Sequence, residues 1–288
     1  MKKIWKRSFG LLLCLSLLLA LGLSACGGSQ APAATQAPAT AAPAPAEENT
    51  PADNGGDTEA EAPALTTIVP GKLTMATSPD FPPYEFRDDA GEPTGIELEL
   101  MALIAEKLGL ELQVDTMEFD SALMSVEQHK CDMAVSGITV REDRKLVMNF
   151  TDSYTTAVQA IVVPEGSDVT LENLGEHMIG TQRGTTGYIY CVDDYGEDHV
   201  IGYDTYSTVF QALLNGQIDC IVVDDSVAKA YVAQNPTLSV LDTEYAVEEY
   251  ALAVDKDNEP LLDAVNAALN ELMADGTVQS IIDKYITD

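Results

Sequence analysis

From residue 67 to residue 288 short apolar runs of strand character alternate with segments of helical period, and that alternation restricts the chain to an α/β fold. Lys72–Thr77 reads as a strand entering the turn-rich Ser78-Pro79-Asp80-Phe81-Pro82-Pro83. Apolar residues at 96, 100, 101, 103, 104 and 108 mark a helix, with Gly109 as its C-terminal stop. Leu110, Leu112 and Val114 alternate as a strand, Asp120 is placed to cap a helix reaching about Glu127, and Cys131–Ser136 forms the next strand. A second round repeats the pattern. Met178–Gln182 is a strand, Gly184-Thr185-Thr186-Gly187 opens a helix, Ser207 caps another through Leu214, and Asp219–Val223 is an apolar strand. Leu261–Met273 and a final stretch carrying Val278, Ile281, Ile282 and Tyr285 complete the helices.

One internal echo points to two facing halves. Lys130-Cys131-Asp132-Met133-Ala134-Val135-Ser136-Gly137 parallels Gln217-Ile218-Asp219-Cys220-Ile221-Val222-Val223-Asp224: turn, Asp, then a buried strand. Open α/β sheets bind ligands beyond the C-terminal ends of their strands, so Gly137 and Asp224 are expected to face one cleft.

The N-terminal residues concern location. Lys2, Lys3, Lys6 and Arg7 precede an apolar run from Phe9 to Leu23. That length suits a signal peptide and falls short of the roughly 20 residues of a membrane span. The run ends in Leu23-Ser24-Ala25-Cys26-Gly27, small residues followed by a cysteine. Residues 1–25 are therefore expected to be a signal peptide. Residues 26–66, rich in Ala, Pro, Thr and acids, cannot bury enough apolar surface to offset ordering entropy and are expected to form a disordered tether. With 47 Asp+Glu against 15 Lys+Arg the formal charge is −32. A chain this acidic repels nucleic acid, which is excluded as a partner. Cys131, Cys191 and Cys220 are an odd set: buried apolar roles are expected, with one bridge left open. His129, His177 and His199 lack ligand spacing, so no metal or other cofactor is expected.

Several separated stretches resemble one family. Gly95-Ile96-Glu97-Leu98-Glu99-Leu100 with Ile104-Ala105 is similar to the signature of the polar amino-acid family of extracellular solute-binding proteins, which serve ATP-driven (ABC) importers. Phe81-Pro82-Pro83-Tyr84-Glu85-Phe86, Ser136–Arg144, Gly184–Gly187 and Asp219–Asp224 resemble its other segments, in order. Leu23–Gly27 resembles the lipobox of bacterial lipoproteins, with Cys26 as the lipid (palmitate) attachment point on the outer face of the cell membrane.

The resemblance implies a two-lobed, type II periplasmic-binding-protein-like fold with a double-strand hinge. Residues 67–153 plus 251–288 would form lobe 1, 159–245 lobe 2, and 154–158 with 246–250 the hinge. It implies a monomeric receptor that binds a polar free amino acid and delivers it to an importer permease. Arg144 would hold the carboxylate, helped by Thr139, Ser136, Gly137 and Thr186, and Asp224 would balance the ammonium. Phe81 and Phe119 would wall the aliphatic carbons. Glu97 would help select a side chain or order the cleft rim, and Gln182 would approach the side chain from the second lobe. Ser78 departs from the family, which often carries an acid there, and this leaves selectivity open. A sensory receptor component and a cyclohexadienyl-dehydratase-like enzyme share the fold and stand as alternatives, the latter needing a general acid such as Asp80 or Glu97. The expectation is a receptor and not an enzyme.

Overall fold

The computed structural model describes residues 65–287; Cys26, the leader and nearly all of the tether lie outside them. In chain order the elements are β1 (Lys72–Thr77), a small hairpin of β2 (Phe86–Arg87) and β3 (Pro93–Thr94), α1 (Ile96–Lys107), β4 (Glu111–Thr116), α2 (Phe119–Glu127), β5 (Met133–Ala134), β6 (Met148–Phe150) and β7 (Thr155–Pro164). There follow β8 (Ile179–Gln182), α3 (Thr186–Tyr195), β9 (Val200–Tyr203), α4 (Tyr206–Leu214), β10 (Cys220–Asp224), α5 (Asp225–Gln234), β11 (Leu238–Val240), β12 (Ala246–Tyr250), β13 (Ala253–Asp255), α6 (Glu259–Ala274) and α7 (Thr277–Tyr285).

Two sheets result. The first has the order β4-β1-β5-β13-β6, with β1 parallel to β4 and β5. The second has the order β11-β7-β10-β8-β9, with β12 paired to β7. This is the α/β architecture expected from the alternating pattern, in the two lobes that the internal echo and the resemblance implied. The strands β7 and β12 run side by side, antiparallel, from Thr155↔Tyr250 to Gln159↔Ala246. The rest of β7 enters the second sheet against β10 and β11. The chain thus passes between the two sheets along one two-stranded ribbon.

The apolar faces explain why these elements form. Helix α1 buries Ile96, Leu100, Met101 and Ile104 beneath the first sheet, and α4 buries Val209, Phe210 and Leu213 beneath the second. Each such side chain contributes about 1.5–3 kcal/mol by leaving water. Cys131, Cys191 and Cys220 are buried free thiols. Burial pushes the last two up to about 12, which keeps them inert.

Three local expectations need correction. Asp120 does not cap α2: the helix begins at Phe119 after Glu118, which leaves Asp120 in the first turn. Ser207 does not cap α4 either, because Thr205 Oγ1 accepts from Thr208 N at 3.2 Å and starts the helix earlier. The strand expected over 131–136 pairs fully only at Met133–Ala134, and Val135 N then donates to Ala76 O at 3.0 Å.

Candidate functional site

The loops after β1, β5, β8 and β10 meet at the C-terminal ends of their strands, around a narrow cavity between the two sheets. Nine of the ten expected binding residues line it. Phe81, Phe119, Ser136, Gly137, Thr139 and Arg144 come from the first lobe, and Gln182, Thr186 and Asp224 from the second. Glu97 is the exception and its expected place at the cleft is corrected. It is fully buried behind the wall, accepting Gly137 N at 3.0 Å and the Tyr154 hydroxyl at 2.6 Å. The first bond holds the Gly137 backbone and the second fixes the Glu97 carboxylate. Gly137 has φ +53°, and a Cβ there would lie 2.6 Å from the Phe81 ring, so only glycine suits both the conformation and the contact.

Arg144 is 7% exposed and carries an uncompensated charge. Its Nη1 donates to Thr139 O and its Nη2 to Gly184 O, each at 2.9 Å, while the Phe119 ring lies 5.6 Å from Cζ. No carboxylate hydrogen-bonds to it among the described residues, and burial brings its pKa down to about 10. A guanidinium has five N–H donors, so three remain for an anion. Burying a charge is costly unless it is paired, which makes this a seat for a carboxylate.

Asp224 is the opposite pole. It is buried at the end of β10, and its Oδ1 has no hydrogen-bond partner. Burial, then the negative charge of neighbouring Glu248, hold its carboxyl well above the ordinary carboxylate range. Glu248 Oε2 accepts from Thr139 Oγ1 and Gln159 Nε2, both at 3.0 Å, and its Oε1 is unpartnered. Glu248 arrives on β12 because residues 138–140 run alongside 249–251: Val140 N donates to Glu249 O, and Ala251 N to Ile138 O. Two desolvated carboxyls together favour a cation between them and the cavity.

The lobes are closed on one another. Arg144 of the first lobe bonds Gly184 O of the second. Tyr206 N at the start of α4 donates to Asp80 Oδ2 at 2.6 Å, and the Tyr231 hydroxyl donates to Asp80 O at 3.0 Å. Ser78 Oγ occupies the other Asp80 oxygen at 2.9 Å. Asp80 thus latches the cleft from one side and Arg144 from the other.

Residues that sequence reasoning did not place at the cavity are Ser78, Asp80, Glu85 and Thr185, together with Glu248 behind it. Asp80 and Glu85 sit in the family-like loop 81–86 or beside it, but an acid in a loop is by default a solvated one. Thr185 carried a signal: its Oγ1 caps α3 by accepting Tyr188 N at 3.2 Å. Glu248, on a short acidic strand, had none.

Residues 73–288 match the profile of bacterial extracellular solute-binding proteins, family 3. The chain belongs to this family. Among the relatives of this family 3 solute-binding protein is the L-cystine-binding protein TcyJ of Escherichia coli, 32% identical over 75% of this chain and 82% of that one. The ABC transporter arginine-binding protein 1 of Escherichia coli is 29% identical over 74% and 90%. An ancestral arginine-binding protein bound to glutamine superposes with a TM-score of 0.73 at 35% identity, covering 76% of this chain and all of that one. The arginine-, lysine-, histidine-binding protein ArtJ of Geobacillus stearothermophilus gives 0.72 at 30%, over 75% and 96%. The solute-binding protein described here therefore has the type II periplasmic-binding-protein fold, and its cavity lies where Arg144 and Asp224 face each other from two lobes.

Proposed function

We propose that this solute-binding protein captures a free α-amino acid, its carboxylate on Arg144 and its ammonium on Asp224, and hands it to an ABC importer in the membrane. The observation that carries this reading is the buried guanidinium without a carboxylate partner, set across one cavity from a buried carboxylate with an orphaned oxygen. Each group alone is an unstable way to bury charge; a zwitterion offers both the complement they need. Thr139, the Gly137 backbone, and Thr186 at the start of α3 would add hydrogen bonds, the last aided by the helix dipole. Arg144 belongs to one lobe and Asp224 to the other, so only the closed form satisfies both ends, and binding drives closure. The ribbon of β7 and β12 would act as the hinge, between a first lobe of residues 67–153 plus 251–288 and a second of 159–245.

The test is calorimetric titration of the protein, unfolded and refolded to strip carried-over ligand, against the common amino acids and cystine. Binding of one or a few of them at about 1 μM or tighter, roughly −8 kcal/mol, is the expected result. No binding across the panel would discard the amino-acid reading. The bound compound is expected back unchanged, as a receptor returns its cargo; turnover into product would favour a dehydratase-like enzyme.

The lipobox-like residues 23–27 support anchoring through Cys26 to the outer face of the cell membrane. Cys26→Ser is expected to move the protein from the membrane pellet to the soluble fraction with its ligand affinity intact. A variant that stays with the membrane would remove the anchor.

A further inference from the structure

Glu85 is a carboxylate that an α-ammonium and an α-carboxylate leave unused. It is fully buried, yet it lines the cavity. Its Oε1 accepts from Ser136 Oγ at 2.8 Å, and that hydroxyl in turn accepts from Ser78 N at 3.1 Å. Its Oε2 has no hydrogen-bond partner. This network is distinct from the one at the other pole, where Thr139 and Gln159 hold Glu248 beside Asp224. Glu97 stands behind Glu85 with both oxygens already engaged, and Asp80 stands beside it with both engaged as well. Among these acids on the Ser78–Ser136 side, Glu85 is therefore the one with an oxygen to offer.

Charge decides what that oxygen wants. The cavity wall carries one guanidinium, Arg144, against the carboxyls of Asp80, Glu85 and Asp224, with Glu97 and Glu248 directly behind. A zwitterion adds no net charge. Bound by its α-groups alone it would neutralise Arg144 and Asp224 and seal Glu85 into a dry, acidic pocket with an unmet oxygen, an arrangement that costs free energy. A second positive group at the end of the side chain removes that cost. It donates to Glu85 Oε2 and offsets what pushes the Glu85 carboxyl well up, first its burial and then the repulsion from Glu97 and Asp80. Cystine would bring a second ammonium, but with it a second α-carboxylate, for which the lining offers no cation besides Arg144.

We propose that Glu85 is a specificity-determining residue: it ends a second cation seat, and the cargo is an α-amino acid with a positively charged side chain, guanidinium or ammonium. This rests on the amino-acid reading above. The deciding comparison is arginine against citrulline, which keeps the shape and replaces the guanidinium by a neutral urea, with lysine, ornithine, glutamine and cystine alongside. Arginine or lysine is expected to bind about 100-fold more tightly than citrulline or glutamine. Glu85→Gln, which preserves the Ser136 hydrogen bond, is expected to lower the preference for arginine over citrulline from about 100-fold to below about tenfold. A wild-type protein that binds citrulline, glutamine or cystine at least as tightly as arginine and lysine overturns the cation seat and leaves the amino-acid receptor standing. An unchanged preference in Glu85→Gln removes Glu85 from it. Should that variant not fold, the wild-type ratio of arginine to citrulline decides alone. Failure of every α-amino acid to bind overturns both readings.

Discussion

Arg144→Ala is expected to lose about 3–5 kcal/mol of binding free energy, more than a hundredfold in Kd, with little change in fold. Two effects add. The ligand carboxylate enters a dry cleft without its counter-charge, and the closed form loses the bond from Nη2 to Gly184 O that joins the lobes. The folded protein itself sheds a buried charge that no carboxylate compensates, so its thermal midpoint should hold or rise. Arg144→Lys should recover only part of the loss. An ammonium is a point charge that cannot reach Thr139 O and Gly184 O together while also presenting a planar pair of donors to a carboxylate. Titration of both variants, with circular dichroism as the fold check, measures this. Binding within twofold of the parent in Arg144→Ala would take Arg144 out of the site.

Asp224→Asn should separate binding from stability, because the two move in opposite directions. The substitution keeps the shape and removes the charge that faces the ammonium, at a cost of about 2–4 kcal/mol in binding. Glu248, with its free Oε1, retains some attraction and limits the loss. Without ligand, however, the variant no longer confines two carboxyls at one dry spot, and it should melt at a higher temperature than the parent near neutral pH. The pH dependence carries the same signature. Because the Asp224 carboxyl sits above its ordinary value, the folded state keeps a proton that the unfolded chain has already released. Stability therefore falls as pH rises from the ordinary carboxylate range, about pH 4, through the raised folded-state value. Glu85 and Asp80 act in the same direction, through burial in both cases. His129 does so too, its pKa raised by the hydrogen bond to Asp255 at 2.7 Å. The stripped protein should thus melt higher at about pH 5.5 than at about pH 8, and Asp224→Asn should flatten that slope. A steeper slope in the variant, or a lower midpoint at neutral pH, would show that Asp224 is structurally satisfied and not held ready for a ligand.

Much of the site was readable because its residues lie just beyond strands. Ser136 and Gly137 follow β5, Gln182 ends β8, Thr186 opens α3 and Asp224 ends β10. The rule that open α/β sheets bind ligands at those ends points to Gly137 and Asp224, and the family resemblance implied Ser136, Gln182 and Thr186. Glu97 belongs to the Gly95–Leu100 motif, which builds the start of α1 and contributes no residue to the cavity lining. The motif marks the helix, but the side chain turns inward to Gly137 N and the Tyr154 hydroxyl. Asp120 and Ser207 were taken for caps because their residue types suit that role, while backbone geometry started α2 at Phe119 and gave the cap of α4 to Thr205.

The amino-acid sequence by itself determined the order of most strands and helices and the α/β class. These depend on periodicity and capping, which act over a few residues. Tertiary structure alone decided what the charges mean. Glu85 became a buried, half-paired carboxylate only because Ser136 of another loop holds one of its oxygens. Asp224 acquired Glu248 because β12 returns beside residues 138–140, and Arg144 was left without a carboxylate because its nearest acceptors are carbonyl groups. A charge in sequence is solvated until packing removes the water, and packing joins segments far apart in the chain. The balance of one guanidinium against several dry carboxyls, which points to the cargo, therefore existed only once both lobes had folded and closed.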